Sequence, residues 1–185
     1  MSFVLEGDID HFDTKDNEWK PIEKGGAQII RSGNGISHSE RLNAGSHIFQ
    51  IWFDPNLQKT LEVPAAYDDY KDEDFPIEEK DGMRIKTYKG KNAPIQMESY
   101  AVEIKELFLE EGNHELTLAK DMIHSFYLIK GAVSVDGNEI EEHDFFRLED
   151  TKLNIQSNAS SQIFMISNPV NLGYTTYYEA TRQRI

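Results

Sequence analysis

The apolar residues of this chain come in short runs closed by turn formers, and this constrains the fold more than any other feature. Ala27-Gln28-Ile29-Ile30, Ile48-Phe49-Gln50-Ile51-Trp52-Phe53, Phe126-Tyr127-Leu128-Ile129 and Gln162-Ile163-Phe164-Met165-Ile166 are rich in β-branched and aromatic residues, as strands are. Gly25-Gly26, Gly33-Asn34-Gly35, Asp81-Gly82 and Asp136-Gly137-Asn138 punctuate them. Asp136-Gly137, between Ser134-Val135 and Glu139-Ile140, predicts a tight hairpin. Many short strands at regular spacing predict an all-β sandwich or barrel. No stretch reaches the length of about eighteen apolar residues that a membrane helix needs, so no membrane partner is expected.

Composition narrows the function classes. The formal net charge is −14, which repels phosphate backbones and argues against direct nucleic-acid binding. Cysteine is absent, so thiolate metal sites and disulfides are excluded, and a cytoplasmic location is expected. The amino-terminal residues are too few and too acidic for a signal peptide. Phosphate-loop and nucleophile-elbow motifs are missing.

The chain carries a faint internal repeat. Phe3-Val4-Leu5-Glu6-Gly7 resembles Tyr127-Leu128-Ile129-Lys130-Gly131, and each copy leads to an apolar strand ending in arginine, at Arg31 and at Arg147. These arginines are expected to form rim ion pairs. Ala101–Ile104 and His114–Leu118 read as strands upstream of the second copy, and nothing corresponds to them before Phe3. Two related β units are expected: 1–60, then an acidic, largely irregular connector at 61–82 with a short helical turn just before it near Leu57–Leu61, then 83–185. If the repeat holds, the first unit lacks its front strands, and its exposed strand edges predict a homodimer.

His38-Ser39-Glu40 follows the Gly33-Asn34-Gly35 turn in an extended segment. Side chains two apart on a strand share a face, so His38 and Glu40 point together. Imidazole plus carboxylate suits a divalent first-row metal, with Glu40 able to add acid–base work. A surface strand with ordinary polar residues would read the same way. Trp52 and Tyr88 read as core aromatics, and His11 and His47 as residues outside the ligand set.

The stretch from Gly26 through Gln28, Gly33-Asn34-Gly35 and His38-Ser39-Glu40, with Phe3–Gly7 before it and His47–Trp52 after it, resembles the signature of the pirin family. That family is a group of bicupins that includes bacterial quercetinases. The resemblance implies a cupin-superfamily fold of two tandem β-barrels, the amino-terminal barrel lacking its first strands. It implies a divalent metal, Fe(II) foremost, with His38 and Glu40 among its ligands and two further histidines in a His-x-His upstream of Met1. It implies a metal-dependent dioxygenase acting on a small aromatic or enolisable substrate. It equally allows a metal-poor regulatory bicupin working through protein contacts.

Overall fold

The computed structural model describes residues 1–182. The chain divides into two compact units. Unit 1 comprises Met1–Phe75, Gln96–Tyr100 and the segment from Gly173 onward; unit 2 comprises Pro76–Ile95 and Ala101–Leu172.

Unit 1 is built from β1 (Ser2–Glu6), β2 (Asp8–Asp13), β3 (Trp19–Glu23), β4 (Ala27–Arg31), β5 (His38–Leu42), β6 (His47–Gln50) and β7 (Ala66–Tyr70). One sheet has the order β6-β1-β4-β7 and the other β3-β2-β5, all pairs antiparallel. A short helix α1 (Leu57–Thr60) lies at the expected turn, and α2 (Tyr177–Arg182) follows near the carboxyl end. The acidic segment is more ordered than its composition suggests. Ala66–Tyr70 adds to the edge of β4, with Gln28 opposite Asp69 and Ile30 opposite Tyr67. Asp72–Asp74 then forms a 3-10 turn. The charge run conceals a buried position: Tyr67 is buried while both aspartates are exposed.

Unit 2 holds β8 (Ile77–Lys80), β9 (Met83–Lys89), β10 (Glu103–Leu109), β11 (Gly112–Thr117), β12 (Met122–Lys130), β13 (Val133–Val135), β14 (Asn138–Ile140), β15 (Phe145–Leu148), β16 (Lys152–Ser157) and β17 (Ser161–Pro169). Its sheets run β15-β12-β17-β10-β9-β8 and β11-β16-β13-β14. The β13–β14 hairpin closes through Asp136 and Gly137, both at positive φ (51° and 77°) with Val135 opposite Asn138. That is the conformation a two-residue turn needs to match strand twist.

The internal repeat is a repeat of topology. β1 pairs with β4 and β6 as β12 pairs with β15 and β17; β2 pairs with β3 and β5 as β13 pairs with β14 and β16. Gly7 and Gly131 hold matching places at the end of the first strand, at φ 68° and 98°. A Cβ at Gly7 would lie 2.7 Å from Ser46 Oγ, and one at Gly131 would lie 2.9 Å from Ser161 Cα. In unit 2 the frame is extended by β10 on β17 and by β11 on β16. Among the described residues, unit 1 has no counterparts to these two strands, so β5 and β6 are sheet edges.

The two interiors differ. In unit 2, Leu107, Leu109, Phe126, Leu128, Ile163 and Met165 from one sheet meet Val133, Val135, Leu153 and Ile155 from the other in one apolar core. Unit 1 has a small apolar end, Val4, Ile9 and Ile22 with Ile48 against them. Beyond it the inner faces turn polar. The fold is all-β, and the two-barrel plan appears as two pairs of facing sheets, none closed by hydrogen bonds. Both arginines pair near their strand ends, Arg31 with Asp68 and Arg147 with Glu149. Tyr88 is buried as expected. Trp52 is not: β6 stops at Gln50 and the indole is 85% exposed.

Candidate functional site

The site lies between the two sheets of unit 1. His38 and Glu40 both project from β5, and the antiparallel register sets them against β2, with His11 opposite Glu40 and Asp13 opposite His38. Four polar side chains are thereby gathered on one sheet face. His38 is exposed and Glu40 half-buried, whereas His11 and Asp13 are fully buried. The His11 and His38 rings stack with centroids 6.0 Å apart, and Tyr67 from the facing sheet lies flat on His11 at 4.3 Å.

The facing sheet contributes a row across three strands. Ser2 on β1 is in register with Gln28 on β4 and Gln50 on β6. All three reach Glu40 on the other sheet. Ser2 Oγ donates to Glu40 Oε1 at 2.7 Å, Gln50 Nε2 donates to Oε2 at 3.0 Å, and Gln28 Nε2 also donates to Oε1. Both amides further donate to Ser2 Oγ. Three neutral donors fix an acceptor carboxylate in place, the arrangement that orients ligating carboxylates in metal proteins.

His11 and Asp13 form a second fixed pair, with His11 Nε2 2.9 Å from Asp13 Oδ2. Asp13 Oδ1 accepts from the backbone N–H groups of Lys15 and Asp16, each at 2.8 Å. Burial pushes the Asp13 carboxyl up, but the hydrogen bonds from Asp16, His11 and Lys15 outweigh it and hold the group below the ordinary aspartate value. Burial, reinforced by Asp69, raises the Tyr67 phenol and keeps it protonated. Lys20 caps the outer face of the Tyr67 ring at 4.8 Å, and its hydrogen bond to Asp16 raises its pKa.

His38 and Glu40 have the donor types that a divalent first-row ion takes. Their number is short of a shell: among the described residues no group of three or more His, Cys, Asp or Glu could hold a metal ion. The buried His11–Asp13 pair and the Ser2, Gln28 and Gln50 clamp escaped sequence reading. Only Gln28 and Gln50 carried a signal, as polar residues inside otherwise apolar strands.

The architecture and this polar interior define a two-unit protein of cupin type. Residues 1–53 match the Pirin family model. A pirin-like protein of Arabidopsis thaliana is 30% identical over 96 residues, covering 49% of this chain and 30% of that protein. The structure of a quercetin 2,3-dioxygenase from Acinetobacter baumannii superimposes with TM-score 0.81 at 18% identity, over 99% of this chain and 72% of that one. A bacterial pirin from Escherichia coli in complex with nickel(II) gives TM-score 0.71 at 19% identity, over 91% and 71%. The amino-terminal part of the chain is thus similar to the pirin family. The chain spans about a third of the length of the curated relatives it matches, and no helix among the described residues is long and apolar enough to cross a membrane.

Proposed function

We propose that unit 1 is the metal-handling half of a pirin-type dioxygenase, with His38 and Glu40 as two ligands of a divalent ion, Fe(II) foremost, and a small aromatic or enolisable molecule as substrate. One observation carries the reading. His38 and Glu40 leave one strand on one face, and Glu40 has both oxygens held by Ser2, Gln28 and Gln50. A bound divalent ion would supply Lewis acidity and an electron path. The chain's own residues would orient Glu40, stack beside His38 through His11, and line the substrate space with polar groups. The relatives' names support the reaction class, and the nickel(II) of the bacterial pirin supports a metal.

The shortage of donors favours a second reading, a metal-poor binding bicupin that acts through protein contacts. One experiment separates them. Equilibrium dialysis against Fe(II), Ni(II) and Mn(II), followed by elemental analysis, is run on the chain and on His38→Ala and Glu40→Gln. Dioxygen uptake with a flavonol is measured alongside. Weak metal binding by the chain, reduced further in both variants, is expected, with any flavonol-dependent uptake tracking metal content. Equal metal in all three proteins, or none in any, overturns the reading.

A further inference from the structure

The repeat can be followed residue by residue at the turns that lead into β4 and β15. In unit 1, Val4 N–H donates to Gly26 O at 3.0 Å, Gly25 N–H to Val4 O at 2.8 Å and Gly26 N–H to Glu23 O at 3.0 Å. In unit 2, Leu128 N–H donates to Asp144 O at 3.0 Å, His143 N–H to Leu128 O at 2.8 Å and Asp144 N–H to Glu141 O at 2.9 Å. Gly25 and His143 share the left-handed φ, at 80° and 76°. Ala27, Gln28, Ile29 and Ile30 on β4 therefore correspond to Phe145, Phe146, Arg147 and Leu148 on β15.

The two strands differ at their far sides. β4 is covered there by β7, with Tyr70 opposite Ala27 and Asp68 opposite Ile29. β15 is the last strand of its sheet, and among the described residues no strand pairs with its far side. Bonded and non-bonded positions alternate along an antiparallel pair. Asp144 is bonded to Leu128, so Phe146 and Leu148 bond to β12, and the backbone groups of Phe145 and Arg147 point outward. These are the places of Ala27 and Ile29. Phe145 is 63% exposed and the Arg147 side chain 59%, its one ion pair to Glu149 spanning 3.8 Å. An open edge of this kind is a template for a further strand.

The strand on β4 shows what fits. In the register of β7, an aromatic ring falls opposite Phe145 and an aspartate opposite Arg147, both favourable cross-strand pairs. We propose that β15 is a docking edge for an extended acidic segment of another protein, added antiparallel with an aromatic residue opposite Phe145 and an aspartate opposite Arg147. The proposal concerns unit 2 and stands whichever way the metal reading of unit 1 falls.

The probe is a fluorescein-labelled synthetic peptide with the sequence Ala65–Lys71, titrated into the chain by fluorescence polarisation with chelator present. Saturable binding is expected. Arg147→Glu sets like charges opposite each other and should weaken it at least about fivefold. Arg147→Pro removes an outward N–H that the β12 ladder does not use, a place where an edge strand tolerates proline. Binding should then fall at least about tenfold. Hydrogen exchange of the unaltered chain gives a measure that no misfolded variant can spoil. The Phe145 and Arg147 amides should exchange fast alone and become protected at saturating peptide, with Phe146 and Leu148 unchanged. No saturable binding, equal binding of a peptide with the same residues in scrambled order, or protection that misses Phe145 and Arg147 overturns the proposal. So does self-association of the chain that Arg147→Pro abolishes and the peptide cannot displace, since a second copy is then the occupant.

Discussion

Ser2 donates its hydroxyl hydrogen to Glu40 across the gap between two sheets, at 2.7 Å, while receiving hydrogen bonds from the Gln28 and Gln50 amides beside it. The four groups form one network in which each member limits the geometry of the rest. Gln28→Leu removes a buried donor from Glu40 and should destabilise unit 1 by about 1–3 kcal/mol. Both tryptophans of the chain, Trp19 and Trp52, lie in unit 1, so the urea midpoint read by tryptophan fluorescence measures that unit selectively.

Asp13 should give unit 1 an acid-sensitive stability. Its carboxyl titrates below the ordinary aspartate value in the folded protein, so the unfolded chain binds more protons in that range. The stabilisation is present above about pH 4 and is lost as pH falls through the folded value. Fluorescence midpoints taken from about pH 7 to about pH 3 should fall at the acid end for the unaltered chain. Asp13→Asn should start lower at neutral pH and show a flatter acid limb.

Gly131→Ala should be costly for two separate reasons. The residue sits at φ 98°, and its new Cβ would lie 2.9 Å from the Ser161 backbone. A loss of roughly 1–3 kcal/mol from the backbone conformation alone is expected, with the contact adding to it. Calorimetry should show a lowered transition for unit 2. Gly7→Ala, at the matching place beside Ser46, should act on the fluorescence-monitored unit instead.

Leu128 is 0% exposed within the apolar core of unit 2. Leu128→Ala should cost about 2–5 kcal/mol. Hydrogen exchange of the β12 and β17 amides should quicken in proportion, since these strands pair along Met122–Lys130.

Local signals made much of this legible. The strand positions, the Asp136-Gly137 hairpin, the helical turn at Leu57–Thr60 and the shared face of His38 and Glu40 all follow from spacing within a few residues. The repeat was visible because Gly7 and Gly131 each end an apolar strand, where a side chain would strike Ser46 or Ser161. What stayed hidden depends on register between distant segments. Nothing near His11 announces that Glu40 will face it, twenty-nine residues on. Nor does Ser2 announce that it will sit between Gln28 and Gln50. The aspartates mask the strand Ala66–Tyr70, and Trp52 stands exposed instead of in the core because β6 ends at Gln50.

The two units share one wiring and differ in filling, and this has a thermal consequence. Heat-capacity change on unfolding follows the apolar surface that becomes hydrated, and polar exposure opposes it. Unit 2, with its hydrocarbon interior, should carry most of the curvature of the stability curve. Unit 1, lined by amides, carboxylates and imidazoles, should respond more nearly linearly to temperature. Cooling the protein should therefore weaken the hydrocarbon-filled unit while leaving the polar unit comparatively unmoved.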